Sequence, residues 1–139
     1  MEESLALQVV RSFIAKINAH CVASMCELMT DDHRCVDVFG VTGQGRAALR
    51  QAWQTYFSRV PDYRIVCQQV ISEDQTIAIF GTVSGTDRHD GVRQGGQPWE
   101  VPAAWNVVVR GTRVAVWQVY YAAPLDRRPT DAAHGASDV

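Results

Sequence analysis

Asp37 is the residue of this chain best suited to proton chemistry. It stands in Cys35-Val36-Asp37-Val38-Phe39-Gly40. Alternation over residues 33–39 predicts a strand with Cys35, Asp37 and Phe39 on one face and Val36 and Val38 on the other. A carboxylate among such neighbours loses solvation, which disfavours its charged form and suits a general base beside a carbonyl or alkene. An aspartate hydrogen-bonded to a loop or helix end is the competing reading, and both stand on the sequence. His33, at the start of the same strand after Asp31-Asp32, titrates near neutrality and is placed to assist Asp37; its alternative is a surface or capping histidine. Glu100, beside Trp99, is the second-choice acid, expected at the mouth of a pocket.

The other candidates are aromatic. Trp53 offers an indole N–H to a ligand oxygen, or is an ordinary core tryptophan. Tyr56 and Phe57 carry the same two readings, with packing favoured. If the last two strands alternate strictly, Trp105, Trp117, Val119 and Tyr121 face inward. With Phe13 and Phe57 they line an aromatic pocket that takes flat or polycyclic apolar ligands; the alternative is a filled core. Gln118 and Tyr120, on the opposite face, are candidates for a dimer interface.

Composition narrows the chemistry. The chain has 139 residues, about one domain's worth, with 47% hydrophobic and 20% charged residues. Twelve of the 13 basic residues are arginine. Lys16 is therefore the only lysine, and it lies in no glycine-rich loop, so Schiff-base and P-loop mechanisms are excluded. The net charge of −2 and the absence of a basic run argue against nucleic acid. No apolar run of membrane-spanning length exists. The acidic start, Met1-Glu2-Glu3-Ser4, is unlike a signal peptide, so the expected location is the cytoplasm. Cys21, Cys26, Cys35 and Cys67 form no C-x-x-C pair and read as reduced thiols. Cys35 with His33 falls short of a metal-ligand set, and neither metal nor organic cofactor is expected.

The elements that must position these residues follow from periodicity. Apolar residues at helical spacing predict helices over 5–19 and 22–29, the second broken by Thr30-Asp31-Asp32. Leu49, Ala52, Trp53, Tyr56, Phe57 and Val60 mark a third, ended by Pro61. Gly40 to Gly45 reads as a loop. Strands follow at 63–71, 76–85, 101–109 and 113–121, the last two joined by a hairpin at Arg110-Gly111-Thr112. Residues 86–98 read as a mobile loop, with His89 at a solvated tip. Residues 1–123 form the predicted domain, and 124–139, with His134, a flexible C-terminal tail. His20 ends the first helix, where a cation suits the helix dipole. The class is α+β, helices covering one face of a curved sheet.

The order helix, helix, short strand, long helix, four strands resembles the nuclear transport factor 2-like superfamily, closest to its SnoaL-like and ketosteroid isomerase-like branch. The residues carrying the resemblance are Phe13 to Ala19, Leu28 to Asp32, Thr42-Gly43 through Phe57, Pro61-Asp62-Tyr63, Ser84-Gly85-Thr86 and Val116 to Tyr121. It implies a cone-shaped α+β barrel of three N-terminal helices on a curved mixed or antiparallel sheet, one pocket per chain and a homodimer. The segment around Asp37 resembles the one holding the base in ketosteroid isomerases. The donors depart from that pattern. Phe13 stands where the isomerases place a tyrosine, and Trp105 or Asn106 where they place a protonated acid, which disfavours steroid isomerase activity. Val119 stands where limonene-epoxide hydrolases carry an acid, and Gln118 where SnoaL-type cyclases do. The resemblance implies a cofactor-free isomerase, cyclase or dehydratase acting on a hydrophobic carbonyl compound, with Asp37 moving the proton and Trp53 and Trp105 donating to oxygen. A non-catalytic binding or dimerisation module, or an assembly subunit, is the alternative.

Overall fold

A computed structural model describes residues 3–86 and 97–122. Helix α1 (Leu5–Asn18) starts where the Ser4 side chain accepts a hydrogen bond from the Leu7 N–H, satisfying one of the unpaired amides of a first helical turn. Its apolar stripe, Val9, Val10, Phe13, Ile14 and Ile17, is buried. Its C-terminal end is tied to the sheet by an amide: Asn18 donates to the Ile65 carbonyl at 2.9 Å and accepts from the Ile65 N–H at 2.8 Å. Helix α2 (Val22–Glu27) is short. Helix α3 (Arg46–Arg59) buries Leu49, Trp53 and Phe57 and stops before Pro61.

Six strands follow the order β2-β1-β6-β5-β4-β3 in a single mixed sheet. They are β1 (Met29–Val36), β2 (Thr42–Gln44), β3 (Arg64–Glu73), β4 (Thr76–Thr86), β5 (Pro98–Arg110) and β6 (Arg113–Tyr121). The last four run as an antiparallel meander, as expected; β1 lies parallel to β6 and antiparallel to β2. Burial alternates along β4 and β5. Ile77, Ile79 and Val83, with Val101, Trp105 and Val107, meet the helices in one apolar core. At Gly81 a Cβ would lie 1.9 Å from the Val66 carbonyl oxygen, so glycine alone lets β4 approach the irregularity in β3 between Cys67 and Gln69.

Several sequence expectations shift. The helix predicted over 22–29 ends at Glu27, and Thr30-Asp31-Asp32, read as a helix break, already belongs to β1. The strand predicted over 33–39 runs earlier, over 29–36. Phe39 therefore sits in a turn at 48% exposure rather than beside Asp37 on an inner face. The loop predicted from Gly40 to Gly45 holds β2. Helix α3 follows the first short strand, as the expected order has it, with β2 added between them. The physical reason is the same throughout. Asp31 and Asp32 are both exposed on β1, where sheet pairing outweighs their turn propensity. The loop placed at 86–98 and the tail at 124–139 lie outside the described residues, apart from Thr86, Gln97 and Pro98 at the loop's margins.

Candidate functional site

The inner sheet face carries the candidate residues in two tiers. The lower tier lies between α1 and the β1–β6 pair. Parallel pairing sets Cys35 opposite Trp117, and antiparallel pairing sets Trp117 opposite Val107 and Trp105 opposite Val119. The Trp117 ring lies 5.2 Å from Phe13 and 6.1 Å from Trp105, and Phe13 lies 6.0 Å from the His33 ring. These four side chains form one continuous aromatic floor.

His33 is fully buried, at 0% exposure, so the surface or capping role is corrected. Its Nδ1 lies 2.6 Å from the Val114 carbonyl oxygen. A carbonyl only accepts, so Nδ1 carries the proton, and Nε2 of the neutral ring is a bare acceptor. Burial pushes the imidazole below its ordinary value, opposed by the Val114 carbonyl and by the Asp32 charge. The neutral form is thus the folded one. Among the described residues, neither His33 Nε2 nor the indole N–H of Trp105 has a hydrogen-bond partner, and both atoms are buried. Leaving such a group unpaired costs about 1–3 kcal/mol each.

The upper tier sits where β1, β6 and the start of β3 end together. Asp37 follows β1 directly and is 9% exposed. Its Oδ1 accepts from the N–H groups of Phe39 and Val41, both at 2.9 Å, while its own N–H donates to the Val41 carbonyl at 3.0 Å. One oxygen therefore ties the turn that leads into β2. Cys35 lies beside it, its thiol pushed up to about 12 by burial, with the Asp37 charge adding. Tyr63, Tyr121, Tyr56 and Cys35 gather at this end. The Tyr63 and Tyr121 side chains share a hydrogen bond, and burial raises the Tyr63 phenol well above its usual range, reinforced by Tyr121, Tyr56 and Cys35. Trp53 packs its ring 5.3 Å from Phe57 and 6.5 Å from Tyr63, and Tyr56 lies edge-on to both Trp53 and Tyr63. Phe57 stacks on His20 at 4.2 Å.

Val119 and Tyr121 are partly buried against the core, continuing the β6 row of Trp117. Glu100 lies elsewhere. It is exposed and occupies the β5 position between inward-facing Trp99 and Val101, so alternation turns it to the outer face, away from both tiers. Tyr63 is the residue the sequence reading left without a role. Its signal was an aromatic residue at the start of a strand, directly after Pro61-Asp62. Among the described residues, no three His, Cys, Asp or Glu side chains come together as metal ligands.

A model of the SnoaL-like domain family matches residues 10–117, which spans every element of both tiers except the end of β6. The chain belongs to the SnoaL-like domain family. It is thereby a member of the nuclear transport factor 2-like superfamily. No curated protein matches it. Among solved structures, this SnoaL-like domain is similar to a hypothetical protein of ketosteroid isomerase-like fold from Catenulispora acidiphila DSM 44928, crystallised with trimethylamine. The identity is 18%, covering 87% of this chain and 97% of that one, with a TM-score of 0.71. A candidate SnoaL-like polyketide cyclase from Jannaschia sp. CCS1 superposes with a TM-score of 0.75 at 15% identity, covering 88% and 91%. TerC, co-crystallised with polyporic acid, gives 0.72 at 14% identity, covering 95% and 97%. At these identities the likeness shows the fold, one shared by cyclase- and isomerase-type proteins.

Proposed function

We propose that this SnoaL-like domain is a cofactor-free acid/base enzyme of the isomerase, cyclase or dehydratase type. It acts on a hydrophobic, carbonyl-bearing small molecule held in the concavity of a cone-shaped barrel. Asp37 is the proton-transfer base. The observation carrying this reading is the division of labour within its carboxylate. Oδ1 is committed to two backbone amides, while Oδ2 accepts no hydrogen bond among the described residues, and the Asp37 charge acts on the neighbouring Cys35 thiol. A base fixed by one oxygen is oriented without its other oxygen being consumed. The aromatic floor supplies area for a flat ring system, and Trp53 and Trp105 supply N–H groups toward oxygen. That relatives of this fold were crystallised with trimethylamine and with polyporic acid supports a small-molecule site.

The test is Asp37→Asn. Asparagine keeps an Oδ1 acceptor for Phe39 and Val41 and removes the base. Against a panel of β,γ-unsaturated ketones and aromatic β-keto esters, turnover falls by about 10²–10⁴-fold while the melting temperature stays close to that of the parent chain. Unchanged turnover removes Asp37 as the base.

The outer sheet face favours a homodimer. Val66, Ile71, Phe80 and Tyr120 are large hydrophobic side chains left exposed there. The register sets Gln69, Phe80, Ala104 and Tyr120 in one row across β3 to β6. A second copy covers this face. Light scattering coupled to size exclusion reads a dimer for the parent chain and a monomer for Phe80→Asp; a monomeric parent chain removes the proposal.

A further inference from the structure

We propose that His33 is an acid-opened latch between β1 and β6: a second proton on its ring, at Nε2, releases the Val114 carbonyl and frees Thr30 to His33 while β3, β4 and β5 stay paired. The register shows why a latch is needed. Met29 pairs with Val114 and Arg34 with Val116, so the stretch Thr30 to His33 stands opposite Ala115 alone. Strand β2 reaches only Arg34, Cys35 and Val36, so among the described residues this stretch has no strand partner on that side either. Side chains hold it instead. His33 Nδ1 donates to the Val114 carbonyl at 2.6 Å, supplying from a side chain the kind of bond that the interrupted ladder omits. The His33 carbonyl in turn accepts from the Gly45 N–H at 2.9 Å, just before α3. Asp31 pairs with Arg46 and Asp32 with Arg110, but both ion pairs are exposed and screened by water. Among these ties, the imidazole is the buried one.

The ring keeps this place only while neutral. Its Nε2 is buried and has no hydrogen-bond partner among the described residues. A proton added there is a donor without an acceptor and a charge without water. The groups packed around the ring do not relieve it. Helix α1 presents Phe13, at 6.0 Å. On β1 the Cys35 thiol, pushed up to about 12, stays neutral. The Asp32 carboxylate favours the charged ring, but from an exposed position where Arg110 of β5 already holds it. Helix α2 brings Cys26, a thiol that burial keeps protonated. At the start of α3 Arg46 is held by Asp31, and at the start of β6 the Arg113 Nε donates to the Glu27 carbonyl. Charging the ring and keeping it inside are therefore alternatives, and the stretch without strand partners is where the sheet yields first.

Native-state hydrogen exchange tests the latch. The Val114 amide, bonded to the Leu28 carbonyl, and the Gly45 amide, bonded to the His33 carbonyl, report on it. The amides of the β4–β5 ladder report on the rest of the sheet. Rates are divided by the intrinsic rate at each pH. From pH 8 to pH 5 the two reporters open about 10–30-fold more often, since an exposed imidazole titrates near about 6.5 and each pH unit below that adds up to about tenfold. Global unfolding also exposes His33, so this acceleration does not decide alone. At pH 5 both reporters exchange at least about tenfold faster than the β4–β5 amides, and low denaturant speeds only the latter. His33→Asn places an amide nitrogen where Nδ1 stood, keeps the bond to Val114 and gains no proton, so it removes the acid acceleration. If that variant does not fold, the two sets of amides in the parent chain still decide. A single protection level for both sets at pH 5 overturns the proposal, and so do reporters accelerated less than about threefold by acid. An acceleration that survives in His33→Asn overturns it as well.

Discussion

The two tiers of the inner face handle buried polarity in opposite ways. In the upper tier the polar groups are partnered: Asp37 Oδ1 takes two backbone amides, and Tyr63 and Tyr121 bond each other. In the lower tier His33 and Trp105 each keep one buried atom with no partner among the described residues. The comparison teaches that burial alone does not mark a functional group. Asp37 is buried where a turn takes its Oδ1 as acceptor, and the proposed proton transfer would use its other oxygen. His33 and Trp105 are buried at a cost that packing must offset.

The sharpest way to break the contrast is to empty the floor. Trp117→Ala removes the ring that joins Phe13 to Trp105, and chemical denaturation reads a loss of about 3–5 kcal/mol. A loss below about 1 kcal/mol means that the floor is not close-packed. In the upper tier, Asp37→Ala leaves the amides of Phe39 and Val41 without their acceptor and costs about 1–2 kcal/mol, whereas Asp37→Asn costs less than about 0.5 kcal/mol. Equal losses for the two substitutions mean that the charge, not the acceptor, holds the turn.

The smallest effect is the pH dependence of the floor. The folded value of His33 is lowered, so the unfolded chain binds its proton first as pH falls. The contribution of neutral His33 is complete above the ordinary histidine value of about 6.5 and is lost progressively below it, until the lowered folded value is passed. Thermal melts from pH 8 down to pH 5 read this as a falling midpoint. In His33→Phe that part of the slope is absent. A slope unchanged by the substitution assigns it to other groups.

Much of the fold was legible in the residues. Periodicity placed α1, α3 and the four-strand meander within a few residues, since long amphipathic segments carry their burial pattern in their own sequence. The inward set of Trp105, Trp117, Val119 and Tyr121 followed from alternation alone. Short elements were less legible. Strand β1 begins inside Thr30-Asp31-Asp32, and β2 occupies what reads as a loop, because three or four residues hold too little pattern to outweigh their turn propensity. Phe39 was placed inward by extending an alternation past Val36, where the Asp37 turn ends it.

The sequence by itself determined which chemistry is available. Its only lysine is Lys16, its cysteines lack metal-site spacing, and the titratable groups near apolar residues are Asp37 and His33. Those limits are compositional and need no coordinates. The tertiary structure alone decided what each group's atoms face. His33 is fixed by a carbonyl 81 residues away, and Tyr63 meets Tyr121 across the sheet. The parallel pairing of β1 with β6 brings Cys35 to Trp117. Hydrogen-bond satisfaction depends on partners distant in the chain, so a local pattern can nominate a buried polar residue but cannot tell which of its atoms remains to act.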